Sequence, residues 1–216
     1  MPGLPRFVGR EPHPEAGDAK LKMMGCRPVL WALALVAVGR PALGQVAGSP
    51  AQAPAYPGRY PFTEADVQFV TGMISHHAQA IVMAEWAPTH GAGQSIRTLC
   101  ERIINAQADE IALMRDWLRD RNQPVPEPTL HHQVMMPGML THEQMTQLDQ
   151  ARGGEFDRLF LTFMIQHHQG AVTMVEQLLA SPGAAQDEDV YKLASDIFAD
   201  QTTEIERMSK MLLTLP

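Results

Sequence analysis

Along residues 62–86 the polar and apolar positions follow a helical period. At about 100° per residue, Phe62, Asp66, Phe69, Val70, Met73, His76, His77, Ala80, Met83 and Ala84 share one side, whereas Glu64, Gln68, Thr71, Ser75, Gln79, Val82 and Trp86 share the other. The pattern predicts a helix that opens at Thr63, whose hydroxyl caps the first turn with Asp66 three residues on, and closes near Trp86, before Pro88. A second helix is predicted from Ser95 to Arg121, stopped by NQPVPEP. A short one follows from Thr141 to Arg152, ended by Gly153 and Gly154, then long ones from Glu155 to Ala180 and from Asp187 to Leu213. Strand alternation is almost absent.

The chain repeats itself. MISHHAQAIVMAEW (73–86) returns 91 residues later as MIQHHQGAVTMVEQ (164–177), and QADEIALM (107–114) returns 94 residues later as QTTEIERM (201–208). Two helical hairpins of one design predict an all-α fold, a four-helix bundle. In the third long helix the projection turns Asp157, Phe160, Leu161, Met164, His167, His168, Ala171, Met174 and Val175 inward. The second presents Leu99, Ile103, Gln107, Glu110, Met114, Trp117 and Leu118, and the fourth presents Leu193, Ile197, Gln201, Glu204, Met208, Met211 and Leu212.

Unusual chemistry therefore faces the core. Two adjacent inward histidines, duplicated and bracketed by Met at −3 and +6, point to a metal site at His76, His77, His167 and His168; the bland reading is a hydrogen-bonded network fixing register. Met73, Met83, Met114, Met164, Met174 and Met208 either fill the core or ligate, and thioether beside imidazole suits copper, Cu(I) especially. Glu110 and Glu204 sit mid-stripe, where an unpaired carboxylate is expensive. They either ligate or orient a histidine by accepting its other ring proton. Asp66 and Asp157 are weaker candidates, as are His131, His132, Met135, Met136, Met139, His142 and Met145 of the linker LHHQVMMPGMLTHEQM, read as a flexible capture tract or an apolar lid.

Composition adds limits. Residues 1–44 read as an N-terminal extension followed by a secretory signal peptide, with an apolar run from Val29 to Val38, too short to span a membrane, and cleavage near Gly44. Residues 45–61 read as a Pro/Ala/Gly tether, and 62–213 as one domain of two repeats (62–121 and 154–213) around the linker 122–153. The exported chain keeps one cysteine, Cys100, so it forms no internal disulfide; its counterpart in the repeat is Ala194, which marks it as a buried small residue. From Gln45 onward 11 Lys and Arg face 21 Asp and Glu, a net of −10, which disfavours nucleic acid and anionic membrane and favours cations.

The tandem MIxHHxxAxxM and QxxEIxxM blocks, with MPGMLT and FDRLFL before the second, resemble the DUF305 family over residues 62–213. That resemblance implies a ferritin-like four-helix fold and export. It also implies copper or silver binding of the kind known for the CopM-like periplasmic members. Carried over by position, the motif residues are Met73, His76, His77, Met83, Glu110 and Met114, then Met164, His167, His168, Met174, Glu204 and Met208. The expected function is an exported protein that sequesters copper or hands it to another exported copper-handling protein, without turnover. Alternatives are a ferritin-like dinuclear metal oxidase, against which stands the lack of Glu-x-x-His, and a purely structural helical module.

Overall fold

Helix α1 (Glu64–Glu85) begins as its sequence dictates. The Thr63 hydroxyl accepts the Asp66 N–H at 3.3 Å, and the Asp66 carboxylate accepts the Thr63 N–H at 2.7 Å, a closed capping box. Four more helices follow in the computed structural model: α2 (Gln94–Asp120), α3 (His142–Gln150), α4 (Gly154–Ala180) and α5 (Glu188–Thr214). Residues 61–127 and 136–215 are described, all within the unit Gln52–Pro216. The stretch through residue 60, read above as extension, signal peptide and tether, and His131, His132 and Met135, lie outside the described residues. All five helix spans agree with the periodicity to within two residues at either end, and the described residues contain no strand. No helix among them is long and apolar enough to cross a membrane.

The long helices form the two hairpins that the repeat predicts, α1 on α2 and α4 on α5, joined chiefly by α1 against α4, with α3 lying on α4. Each hairpin also grips a turn of the other. Asp66 of α1 accepts the Ala185 N–H at 2.7 Å, just ahead of α5, and Asp157 of α4 accepts the Gly93 N–H, the N-cap of α2, at 3.1 Å. A third tie joins the far end of α2 to the start of α5. Buried Arg121 pairs with Asp187 while the Trp117 ring N–H donates to the same carboxylate at 3.1 Å. Burial would raise the Asp187 pKa, but Arg121 and Trp117 outweigh it and hold the carboxyl below its usual range.

Apolar side chains of the bundle gather in two clusters rather than one. One contains Ala80, Met83, Ile103, Phe160, Met164 and Met208; the other contains Phe69, Met73, Met114, Ala171, Met174 and Ile197. In every long helix the stretch between the clusters carries the repeated polar residues: His76 and His77, Gln107 and Glu110, His167 and His168, Gln201 and Glu204. Three of the six repeated methionines lie on either side of this belt. Cys100 is buried in the first cluster, and burial, with Asp157 nearby, pushes its thiol up to about 12, so it stays protonated and inert.

Candidate metal centre

All four belt histidines are completely buried. Helical spacing puts adjacent residues of a pair about 100° apart, so one ring of each pair reaches the α1–α4 seam while the other turns to its own hairpin partner. At the seam His76 and His167 meet with ring centroids 3.8 Å apart and planes tilted by 39°. Outward from them, His77 Nε2 stands 2.8 Å from Glu110 Oε2, and His168 Nε2 stands 2.8 Å from Glu204 Oε2. The His168 contact is in line with the ring N–H; the His77 contact is short but oblique, so it is electrostatic more than a formed hydrogen bond.

His76 takes a different partner. Its Nε2 lies 3.0 Å from the carbonyl oxygen of Pro137, in the segment that leads into α3. A carbonyl can only accept, so the proton sits on Nε2 and the Nδ1 lone pair is bare. The Glu204 oxygen, accepting from Nε2–H, imposes the same tautomer on His168, and Glu110 favours it in His77. None of the four Nδ1 atoms has a hydrogen-bond partner, and His167 has none at either nitrogen. Gln107 and Gln201 add buried amide atoms without partners.

Such a collection of unsatisfied buried acceptors is costly in a core that needs only packing. His90 makes the contrast within the same fold: buried too, it has Nδ1 on the Thr89 hydroxyl at 2.9 Å and Nε2 on the Asp149 carbonyl at 2.9 Å. That is a structural histidine, and the belt histidines are not built like it.

Burial also keeps His76, His167 and His168 neutral. Desolvation, reinforced by His77, drives the His76 pKa down to about 3. His167 is pushed well below its ordinary value by burial and then by His76 and His168, and His168 is lowered because burial outweighs the pull of Glu204. Neutral imidazoles with open lone pairs are the ligand form that a metal requires, with no proton to displace. As the side chains stand, no group of three or more His, Cys, Asp or Glu among the described residues is arranged to hold an ion.

The remaining candidates fall into place unevenly. Met73, Met83, Met114, Met164, Met174 and Met208 are all buried in the two clusters flanking the belt. Asp66 and Asp157 lie one end of a hairpin away from the histidines in sequence, committed to backbone N–H groups. Asp66→Ala is expected to lose about 2–4 kcal/mol, read by urea denaturation, because a cap disappears and the Ala185 N–H is left without its acceptor.

The linker corrects the reading of a flexible tract where it is described. Residues 136–141 form a strap docked across α1 and α4, Met139 and Met145 are buried, Met136 packs on the second cluster, and His142 opens α3 at the surface. Sequence projection also misplaced Gln79, expected outside: it is fully buried beneath this strap.

The sequence profile described as "Domain of unknown function (DUF305)" matches residues 66–212. The chain belongs to the DUF305 family. Two of its structural neighbours are a DUF305 fragment from Deinococcus radiodurans and CopM in the Cu(II)-bound form. The first is 32% identical with a TM-score of 0.63, covering 71% of this chain and 98% of that one. The second is 32% identical with a TM-score of 0.57, covering 68% of this chain and 95% of that one. CopM in the Cu(I)-bound form matches at 32% identity and a TM-score of 0.54, over 68% of this chain and 94% of that one. No curated protein matches this DUF305 chain.

Proposed function

We propose that this DUF305 protein is an exported copper carrier that takes Cu(I), Cu(II) or Ag(I) into the polar belt, sequesters it or passes it on, and performs no turnover. The observation that carries the reading is the set of four buried, unpartnered Nδ1 atoms in the polar belt. Neutral imidazole flanked by thioether is a borderline-to-soft donor set that suits copper and silver, and relatives of this fold have been crystallised with those ions. Loading requires the His167 ring to turn away from His76, since with centroids 3.8 Å apart the two tilted rings now occupy one another's approach. Glu204 holds His168 through Nε2–H and Glu110 pulls electrostatically on His77, so each favours a bare Nδ1 lone pair. The oxidase alternative is poorly supplied with carboxylates, because Asp66 and Asp157 are already bound to backbone.

Chelator competition on the folded domain tests the proposal. Wild type is expected to take up Cu(I) and Ag(I), and ion at a hundred times its Kd should raise stability by about 2.7 kcal/mol. His76→Ala combined with His167→Ala should weaken binding by at least about a hundredfold, beyond the loss typical of an outer partner. Folded wild-type protein that binds neither ion would sink the reading.

A further inference from the structure

The two histidine blocks differ at several positions, and two of these lie under the strap. Aligning the histidine blocks puts Gln79 opposite Gly170 and Ser75 opposite Gln166. Both departures coincide with the strap's contacts. Gln79 accepts the Leu140 N–H at 2.8 Å and donates its own amide to the Leu140 carbonyl at 3.1 Å. Gln166 donates to the Gly138 carbonyl at 3.3 Å. Gly170 has no side chain because there is no room for one: a Cβ there would lie 2.0 Å from the Pro137 oxygen. Gly138 meets it backbone to backbone with φ +76°, a conformation that favours glycine.

One strap serves two repeats, so it makes two equivalent histidines different. His76 has the Pro137 carbonyl on Nε2, whereas His167, its counterpart, forms no hydrogen bond of good geometry and feels only a minor pull from the His76 backbone. We propose that Gln79 is a positioning residue for the metal centre, pinning the strap so that the Pro137 carbonyl fixes His76 as the Nε2–H tautomer with Nδ1 presented to the ion, while His167 is left free to turn. Gln79 cannot itself ligate in this arrangement, since its amide oxygen and nitrogen are both held by Leu140. A mobile ligand beside a fixed one gives the ion an ordered point of attachment and a ring that can swing to admit or release it. The inference rests on the copper reading, but its first readout does not need metal.

Long-range proton–nitrogen spectra of the metal-free protein report the tautomer of each ring. Wild type should show His76 as Nε2–H alone. Gln79→Met, which keeps the bulk but not the hydrogen bonds, and Gly170→Ala, which lifts the strap from the opposite side, should each give a tautomer mixture at His76 while His168 is unchanged. Both variants should bind Cu(I) about tenfold more weakly, as removal of an outer partner does. His76 held as Nε2–H in both variants, or Cu(I) affinity within twofold of wild type despite a tautomer mixture, overturns the positioning role and leaves the copper reading intact. Wild-type protein that binds no Cu(I) overturns both.

Discussion

Metal-free protein is expected to lose stability steadily as the pH falls below 6.5, well before its carboxylates titrate. The folded-state pKa of His76 is depressed to about 3, and those of His167 and His168 are also lowered. Unfolded, each ring takes a proton near 6.5, so the unfolded state binds more protons and gains on the native state as the solution is acidified. The contribution is fully present above 6.5 and is lost on the way down. For His76 alone the loss between pH 6.5 and 4.5 is about 2.3 kcal/mol, the slope approaching about 1.4 kcal/mol per pH unit below 6. His167 and His168 act in the same sense. Asp187 is lowered as well, so its contribution persists until the pH drops beneath the usual carboxylate range and does not blur this window. Urea denaturation at several pH values should therefore give a slope steeper than one proton between 6.5 and 5. His76→Leu should reduce that slope by up to one proton. A flat profile in this interval would mean that the rings are not buried as neutral groups.

An acid-sensitive belt between two apolar clusters is a poor device for stability. Packing alone would be better served by more leucine at these positions, because each bare Nδ1 in the core forfeits a hydrogen bond it would make in water. The cost is arranged symmetrically in both hairpins, at the layer where all four long helices converge. In the proposed copper carrier, metal uptake would supply the missing partners and give the same residues a reason to be where they are.

Much of this was legible in the chain. Period and repeat together predicted the hairpins and the inward faces of His76, His77, His167 and His168, because helix pairing depends on a stripe that a projection can show. They also placed Glu110 and Glu204 opposite histidines, although only one histidine of each pair receives the carboxylate. The partner of His76 was not legible: a backbone carbonyl has no signature of its own, and Pro137 is 61 residues away. Nor was the burial of Gln79, since a helical projection knows the helix and its neighbours but not a strap laid over the outer face. A signal existed even so. Gly170 in mid-helix, where the other repeat has Gln79, is an unfavourable choice for a helix and marks a close backbone approach. Asp66 and Asp157 were read as metal candidates from their inward facing; for Asp66 its place three residues after Thr63 was the stronger cue, because a capping box claims that carboxylate, whereas the Gly93 N–H that holds Asp157 comes from another helix and left no sign in the sequence.

Replacing Glu110 and Glu204 by glutamine should weaken copper binding by about 10–100-fold for each carboxylate lost, while the fold is retained. Glutamine keeps an oxygen that can accept from Nε2–H, so His77 and His168 retain their direction, yet it removes the charge that makes the opposite nitrogen a better donor. The pair of substitutions also relieves Asp200, whose carboxyl is raised by burial and by the two glutamates beside it and should fall towards its ordinary value. Alanine at the same sites should weaken binding further than glutamine, because it leaves the rings unoriented as well as less basic. X-ray absorption on the copper-loaded variants separates this role from direct ligation. If the glutamates act through the histidines, the count of nitrogen and oxygen neighbours is unchanged in Glu110→Gln and Glu204→Gln and only affinity falls. Loss of a light-atom neighbour in either variant would make that carboxylate a ligand in its own right and reassign His77 or His168 to the supporting role.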